Sequence, residues 1–571
     1  MVSSPPRGKT AHVDTFVRDH LPPVETWPSL LFGRPELQYP QQTNVVTEIL
    51  DSHVRAGRGD ASCLVGDSFS WSYRELLLNA NRIARVLVDD LGVVPGNRVL
   101  LRAPNTEVMV AAWMAVAKAG AVVVATMPLL RSREISAIAD KAKVSIALAD
   151  GRLLEEMDKA RAQSEELKRV VTFEELLDRA SRKAPEFENV KTAIDDPVLI
   201  AFTSGTTGKP KGCVHFHRDL LASADTFFSG TLPCTGDDVF TGSPPIAFTF
   251  GLGMHVVFPM RVGASTALVE RPSPEALLEC CERHEVTVLS TAPTAYRAML
   301  PHVSKRDLES LKFCVSAGET LPLSTWEAFR SAAGKSIVDG IGATEMFHIF
   351  ISAAGDEIRP GATGKAVLGY QARVFDDELQ ELPPGETGRL AARGPTGCRY
   401  LDDPERQRDY VKNGWNFTGD AYRTDEDGYF YFQARSDDMI ITAGYNISGP
   451  EVEEALLAHE AIADCACVAS PDPERGNVVK AFVVLRSGVV GDAKRIGELQ
   501  DFVKTQIAPY KYPREIEFVE SLPRTETGKV QRFKLRQMEM EKKSLQPERR
   551  ASAASPEARA AGVGPRGRKR S

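Results

Sequence analysis

Residues 203–212 read TSGTTGKPKG, a run that mixes glycines, hydroxyls and two lysines. Glycine lets backbone approach an anion closely, and hydroxyl, ammonium and N–H groups supply donors, so the chemistry indicated is a grip on nucleotide phosphate. The apolar run VLIAF before it reads as a strand that delivers the loop. A Walker A loop needs four residues between its first glycine and the G-K pair, followed directly by a helix. Here only Thr206 and Thr207 separate Gly205 from Gly208, and Pro210 and Gly212 oppose a helix at that point. The P-loop NTPase reading therefore fails, while the phosphate-binding reading survives.

Four more strings hold chemically useful side chains: DGIGATEM (339–346), NFTGD (416–420), ARSDDMIITAGYNISGPEVE (434–453) and PRTETGKVQR (523–532). Taken singly, Thr344 and Glu345 serve equally well as a helix-capping pair and Asp420 as a turn residue. His215 and His217 in HFH share a face if extended, but two histidines without a third ligand read as structural rather than as a zinc site. The nine cysteines are scattered and form no C-x-x-C pair, which argues against a zinc site and a disulfide framework.

These residues need a scaffold, and the hydrophobic pattern supplies one. RVLLRAP reads as a strand, TEVMVAAWMAVAKAG as a helix and AVVVATM as a strand, the rhythm of a largely parallel sheet. The pattern recurs in VSIALAD, DPVLIAFTSG, ASTALVE, SPEALLECCERHE, VTVLSTAP and LKFCVSAGE, so residues 45 to about 370 read as a doubly wound α/β body. Short alternating segments with P-P-G and D-G turns then predict a small antiparallel β unit. From about 438 a compact α+β pattern follows, joined by the polar ARSDD. The expected organisation is an N-terminal arm (1–45), a large domain (46–435), a smaller domain (436–541) with a linker at 436–438, and a basic tail (542–571).

A chain of 571 residues with 43% hydrophobic and 26% charged residues has the composition of a multidomain globular protein. No run reaches the length of a membrane span, and the N-terminus lacks the apolar stretch of a secretory signal, so a cytoplasmic protein is expected. The net charge of −7 is uneven: residues 547–571 hold seven Arg or Lys against two Glu. An acidic body with a basic, Ala/Pro/Ser-rich tail does not fit a nucleic-acid reader, and the tail reads as disordered.

The five strings, in this order, resemble the motifs of the adenylate-forming superfamily of acyl- and aryl-CoA synthetases, adenylation domains and luciferases. The resemblance covers roughly residues 45 to 541. It implies a large N-terminal domain with a smaller, mobile C-terminal one. The implied chemistry is attack of a carboxylate on the α-phosphorus of ATP, loss of pyrophosphate and capture of the acyl-adenylate by the thiol of coenzyme A. The resemblance assigns Thr203, Ser204, Gly205, Thr206, Thr207, Gly208 and Lys209 to the pyrophosphate end of ATP. It gives Thr344 the α-phosphate and Glu345 a Mg²⁺ ion. Gly318, Glu319, Asp339 and Gly340 fall near the adenine, and Asp420 with Arg435 near the ribose. Lys529 would bridge carboxylate and α-phosphate during adenylation. Asp437 takes the hinge position, and Gly444 and Tyr445 would face the coenzyme A tunnel. Asn446 departs from the arginine found in many acyl-CoA synthetases, so a phosphate contact there is in doubt.

Substrate choice falls on PPIAFTFGLG and GATEMFHIFISA. Phe248, Thr249, Phe250, Gly251 and His348 form the expected acyl pocket, with Met346, Phe347 and Phe350 beside it. Aromatic walls favour a flat ring. These segments resemble those of benzoate-CoA and, more closely, 2-aminobenzoate-CoA ligases, with aliphatic acids or carrier-protein loading as the alternatives. The resemblance leaves room for a homodimer and implies neither nucleic-acid partners nor stable membrane insertion.

Overall fold

The computed structural model describes residues 8–203, 210–318, 321, 323–435, 439–523, 530 and 532–552. Two larger sheets build most of the large domain. In the first, Arg169–Thr172, Ile146–Ala149, Arg98–Arg102, Val122–Thr126, Pro197–Thr203 and Lys211–Phe216 lie side by side in that order. All neighbours are parallel except the last pair, which is antiparallel and flanks the phosphate-loop motif. The second sheet has nine strands, and its inner members, Ile337–Gly342, Phe313–Ser316, Val288–Thr291, Val239–Gly242 and Ser265–Ala267, are parallel.

The helix Glu107–Lys118 illustrates how the sequence places these layers. Thr106 caps it by accepting from the Met109 N–H at 3.2 Å, and every residue from Met109 to Lys118 is buried. A helix apolar on all faces must lie inside a domain, and this one packs against Tyr73–Arg85 and the strands Arg98–Arg102 and Val122–Thr126. Its terminal cation, Lys118, is fully buried and paired with Asp51 at 2.9 Å.

Residues 371–435 form the expected antiparallel unit, a five-stranded sheet in which Phe430–Arg435 pairs with Trp415–Thr424. The smaller domain contains the hairpin Met439–Thr442/Tyr445–Ser448 and a three-stranded sheet, Ile462–Asp472, Gly476–Leu485 and Glu515–Phe518, with its own apolar core. The last helix runs Arg532–Ser552, past residue 541 where the tail was expected to begin. Among the described residues no helix is long and apolar enough to cross a membrane.

Candidate active site

A cavity of about 700 Å³ lies between the two sheets of the large domain and the smaller domain. Thr203, at the C-terminal end of Pro197–Thr203, lines it beside Pro210. Gly318 follows the strand Phe313–Ser316 at φ +91, a conformation suited to glycine. The turn after Ile337–Gly342 brings Ala343 and Thr344 into the wall. This end of the cavity is therefore built at the carboxyl ends of strands, where open α/β sheets place their ligand crevices.

The Thr344 turn is held from behind by a buried network. The Thr344 carbonyl accepts the Phe347 N–H at 3.1 Å and a hydrogen from His215 Nε2 at 2.8 Å. His215 Nδ1 faces Asp219 Oδ2 at 3.9 Å, and Arg399 holds the same carboxylate oxygen at 2.7 Å, all three side chains being fully buried. Burial pushes the His215 pKa down to about 4, so the ring is neutral. Phe347 completes the turn at φ +70, an uncommon conformation for a bulky residue, with its ring edge-on to His215 at 5.4 Å. Beside it, Tyr400 donates to Glu345 Oε1 at 2.5 Å. Burial, then the nearby Glu345 charge, keeps the Tyr400 phenol protonated.

Part of the cavity wall is aromatic. Phe248, Thr249, Phe250, Phe347 and His348 line it. His348 packs among Phe258 (ring centroids 4.3 Å), Phe227 (5.5 Å) and Phe250 (5.5 Å). Neither of its ring nitrogens makes a well-formed hydrogen bond among the described residues, although the Phe250 backbone is near enough to act on the ring. Burial pushes its pKa down to about 3, so it presents one donor and one acceptor as a neutral imidazole.

The cavity thus brings together Thr203, Gly318, Thr344, Phe248, Thr249, Phe250, His348, Gly444 and Tyr445. Gly251 is adjacent rather than lining. A Cβ there would meet the Pro245 carbonyl oxygen at 2.1 Å, so its role is to let two backbones touch. Met346 and Phe350 are fully buried core residues outside the wall. Asp339 lines a separate small cleft with Trp326, Arg359 and Phe432. One of its carboxyl oxygens is sealed from solvent and has no well-formed hydrogen bond among the described residues, and burial raises its pKa to about 7. Gly340, Glu345 and Asp420 are also outside the cavity wall, and Asp420 is opposite Arg435 in the strand register. Ser204, Gly205, Thr206, Thr207, Gly208, Lys209, Glu319, Asp437 and Lys529 lie outside the described residues, as do the side chains of Arg435 and Asn446.

The HFH histidines are scaffold, as expected: His215 holds the Thr344 carbonyl, and His217 Nδ1 accepts the Val45 N–H at 3.0 Å. Composition alone did not single out Tyr400, or Glu134 and Lys511 in the cavity wall. A lysine inside the aromatic run APYKYP was the one available signal for Lys511.

Fold and cavity define a two-domain nucleotide-using enzyme scaffold. The AMP-binding enzyme family matches residues 51–399 and its C-terminal domain matches 451–529, so the chain belongs to that family. Benzoate–CoA ligase of Thauera aromatica is 35% identical over 88% of this chain and 97% of its own. The anthranilate CoA ligase AuaEII, solved with anthranoyl-AMP, is 33% identical, covers 89% of this chain and 99% of its own, and superposes with a TM-score of 0.69. An o-succinylbenzoate CoA synthetase double mutant from Bacillus subtilis, solved with a CoA product analogue, is 25% identical over 86% of this chain and 98% of its own. Its TM-score is 0.78.

Proposed function

We propose that the protein is an ATP-dependent, AMP-forming CoA ligase for a small aromatic carboxylate of the benzoate or 2-aminobenzoate type. The observation that carries the reading is the aromatic part of the cavity wall, where Phe248, Phe250 and Phe347 accompany a neutral His348 whose ring nitrogens make no well-formed hydrogen bond among the described residues. Offset and edge contacts suit a planar ring, and a buried imidazole in that state rewards a ring substituent that donates or accepts. The likeness to ligases for benzoate and anthranilate supports the same substrate class.

In this reading Thr203 and Thr344 offer hydroxyl donors to phosphate oxygens, and Ser204–Lys209 close over the pyrophosphate. Asp420 and Arg435 serve the ribose, and Lys529 spans carboxylate and α-phosphate. Mg²⁺ fits the donor set. Glu345 is a hard oxygen ligand oriented by Tyr400, the kind of single carboxylate Mg²⁺ takes alongside substrate phosphates. The ion would neutralise charge on those phosphates. Gly444 and Tyr445 line the path of the coenzyme A thiol, and the nine free, buried thiols fit a cytoplasmic location.

The test is pyrophosphate exchange and AMP release with CoA across a panel of benzoates and fatty acids. Selective turnover of benzoates is expected. Preference for medium-chain fatty acids would overturn the aryl assignment, and release of ADP would overturn the AMP-forming one.

A further inference from the structure

In the wall of the same cavity, a buried cation joins the two domains. Lys511 Nζ bonds Glu134 Oε1 at 2.6 Å and Glu451 Oε1 at 2.7 Å. The three side chains are 5%, 10% and 12% exposed, which removes this pair of bonds from the class of weak surface ion pairs. Glu134 belongs to the large domain, in the first turn of Ser132–Ala142, whereas Glu451 and Lys511 belong to the smaller one. Glu134 Oε2 also accepts the Ala508 N–H at 2.9 Å, so a single large-domain carboxylate takes two donors from the smaller domain.

The contact continues into the cavity. Tyr510, next to Lys511, packs its ring on Tyr445 with centroids 4.3 Å apart. Tyr445 ends the hairpin turn in which Ala443 and Gly444 adopt positive φ, and the Gly444 carbonyl oxygen lies 3.8 Å from where a Cβ on Gly318 would stand. Glu134, Tyr445, Tyr510 and Lys511 all line the same cavity as Thr344. In whole-chain superposition the TM-score is higher with the relative holding a CoA product analogue (0.78) than with the relative holding an acyl-adenylate (0.69), although sequence identity runs the other way.

We propose that Glu134 and Lys511 are positioning residues for the thiol step. Their bond docks the smaller domain so that Tyr445 and Gly444 wall the channel through which the thiol reaches the acyl group. The inference rests on the CoA-ligase reading above. Neither residue touches the reacting atoms. The bond exists only when these two surfaces meet, so it stabilises this pose relative to any other and contributes nothing to a step performed in another pose.

The experiment compares half-reactions of Glu134→Gln, Lys511→Met and the double variant, with whichever acid the unmodified protein accepts in pyrophosphate exchange. Exchange within about twofold of the unmodified protein is expected, together with a loss of about tenfold or more in thioester formation from preformed acyl-AMP and CoA. Residues that act through one shared bond are non-additive, so the double variant is expected within about threefold of the worse single one. Exchange also reports folding, because an unfolded variant loses it. Equal losses in both half-reactions, an unaffected thiol step, or additive losses would overturn the proposal. Absence of exchange with every aryl acid would instead refute the substrate reading and leave this comparison to be made with the acid that is accepted.

Discussion

Tyr400 donates its phenolic hydrogen to Glu345 Oε1 across 2.5 Å, beside the Thr344 turn. A carboxylate that accepts one fixed hydrogen bond has one oxygen occupied and the other left in a defined direction, and hydrogen bonds to ionised groups are the stronger kind. Tyr400→Phe removes the donor and keeps the ring that packs edge-on to Tyr410. The expected result is a loss of about tenfold in pyrophosphate exchange and a higher Mg²⁺ requirement, with a stability cost of about 1 to 3 kcal/mol. Titration of exchange against Mg²⁺ checks this. An unchanged requirement would remove Tyr400 from the positioning of Glu345.

The second prediction concerns acid stability. Burial pushes the pKa of His215 and His255 down to about 4 and that of His217 and His348 down to about 3. Between those values and the ordinary 6.5, the unfolded chain binds protons that the folded chain does not, so stability rises with pH through this window. The contribution is complete above about 6.5 and is lost progressively as pH falls towards 3 to 4. Urea midpoints measured from pH 7 to pH 4 are expected to fall steadily. His215→Asn removes one titrating group and should flatten part of that slope, at a cost of about 1 to 3 kcal/mol near neutrality if its bond to the Thr344 carbonyl is lost. A slope identical to that of the unmodified protein would contradict the buried neutral assignment.

These two cases mark what the sequence made legible. Local periodicity announced the strand Arg98–Arg102, the helix Glu107–Lys118 and the strand Val122–Thr126, because burial on all sides leaves a continuous apolar signature. Thr203, Thr344 and His348, which line the cavity, were legible through the order of several short motifs rather than through any one of them. Tyr400 was not, since its partner stands 55 positions away, and Lys511 meets Glu134 across 377 positions. Contacts of that kind are set by how sheets and domains pack, which no local pattern encodes. The same reason explains Met346 and Phe350. Their position beside the Thr344 turn suggested a pocket, but the turn directs them into the core.

Lys529 supplies the third prediction, from the motif PRTETGKVQR. A cation that bridges two anions is needed most where both are still charged, in attack of the carboxylate on ATP. Lys529→Ala is therefore expected to lose pyrophosphate exchange by about a thousandfold while thioester formation from preformed acyl-AMP falls far less. Equal losses in the two assays would refute a role confined to the first step.

The last prediction tests the pocket through a residue that touches no substrate. A Cβ on Gly253 would stand 2.5 Å from His348 Cδ2 and 2.8 Å from Nε2, closer than real side chains approach. The imidazole keeps its present position only because residue 253 has no side chain, and Phe227, Phe250 and Phe258 restrict where it can go. Gly253→Ala must therefore displace the ring. If His348 recognises a ring substituent, displacement costs binding for acids that bear a donor or acceptor and spares those that do not. A site built to hydrogen-bond a group discriminates by leaving its own polar atoms unpaired when that group is absent or misaligned. The expected outcome is a fall of about tenfold in kcat/KM for 2-aminobenzoate relative to benzoate, equivalent to about 1.4 kcal/mol of lost discrimination. His348→Phe should reproduce the change, since it fills the same space without nitrogen, and Gly253→Ala added to it should have no further effect on the ratio. A ratio that stays constant in both variants would mean that the imidazole only packs, and that ring choice is set by Phe248 and Phe250.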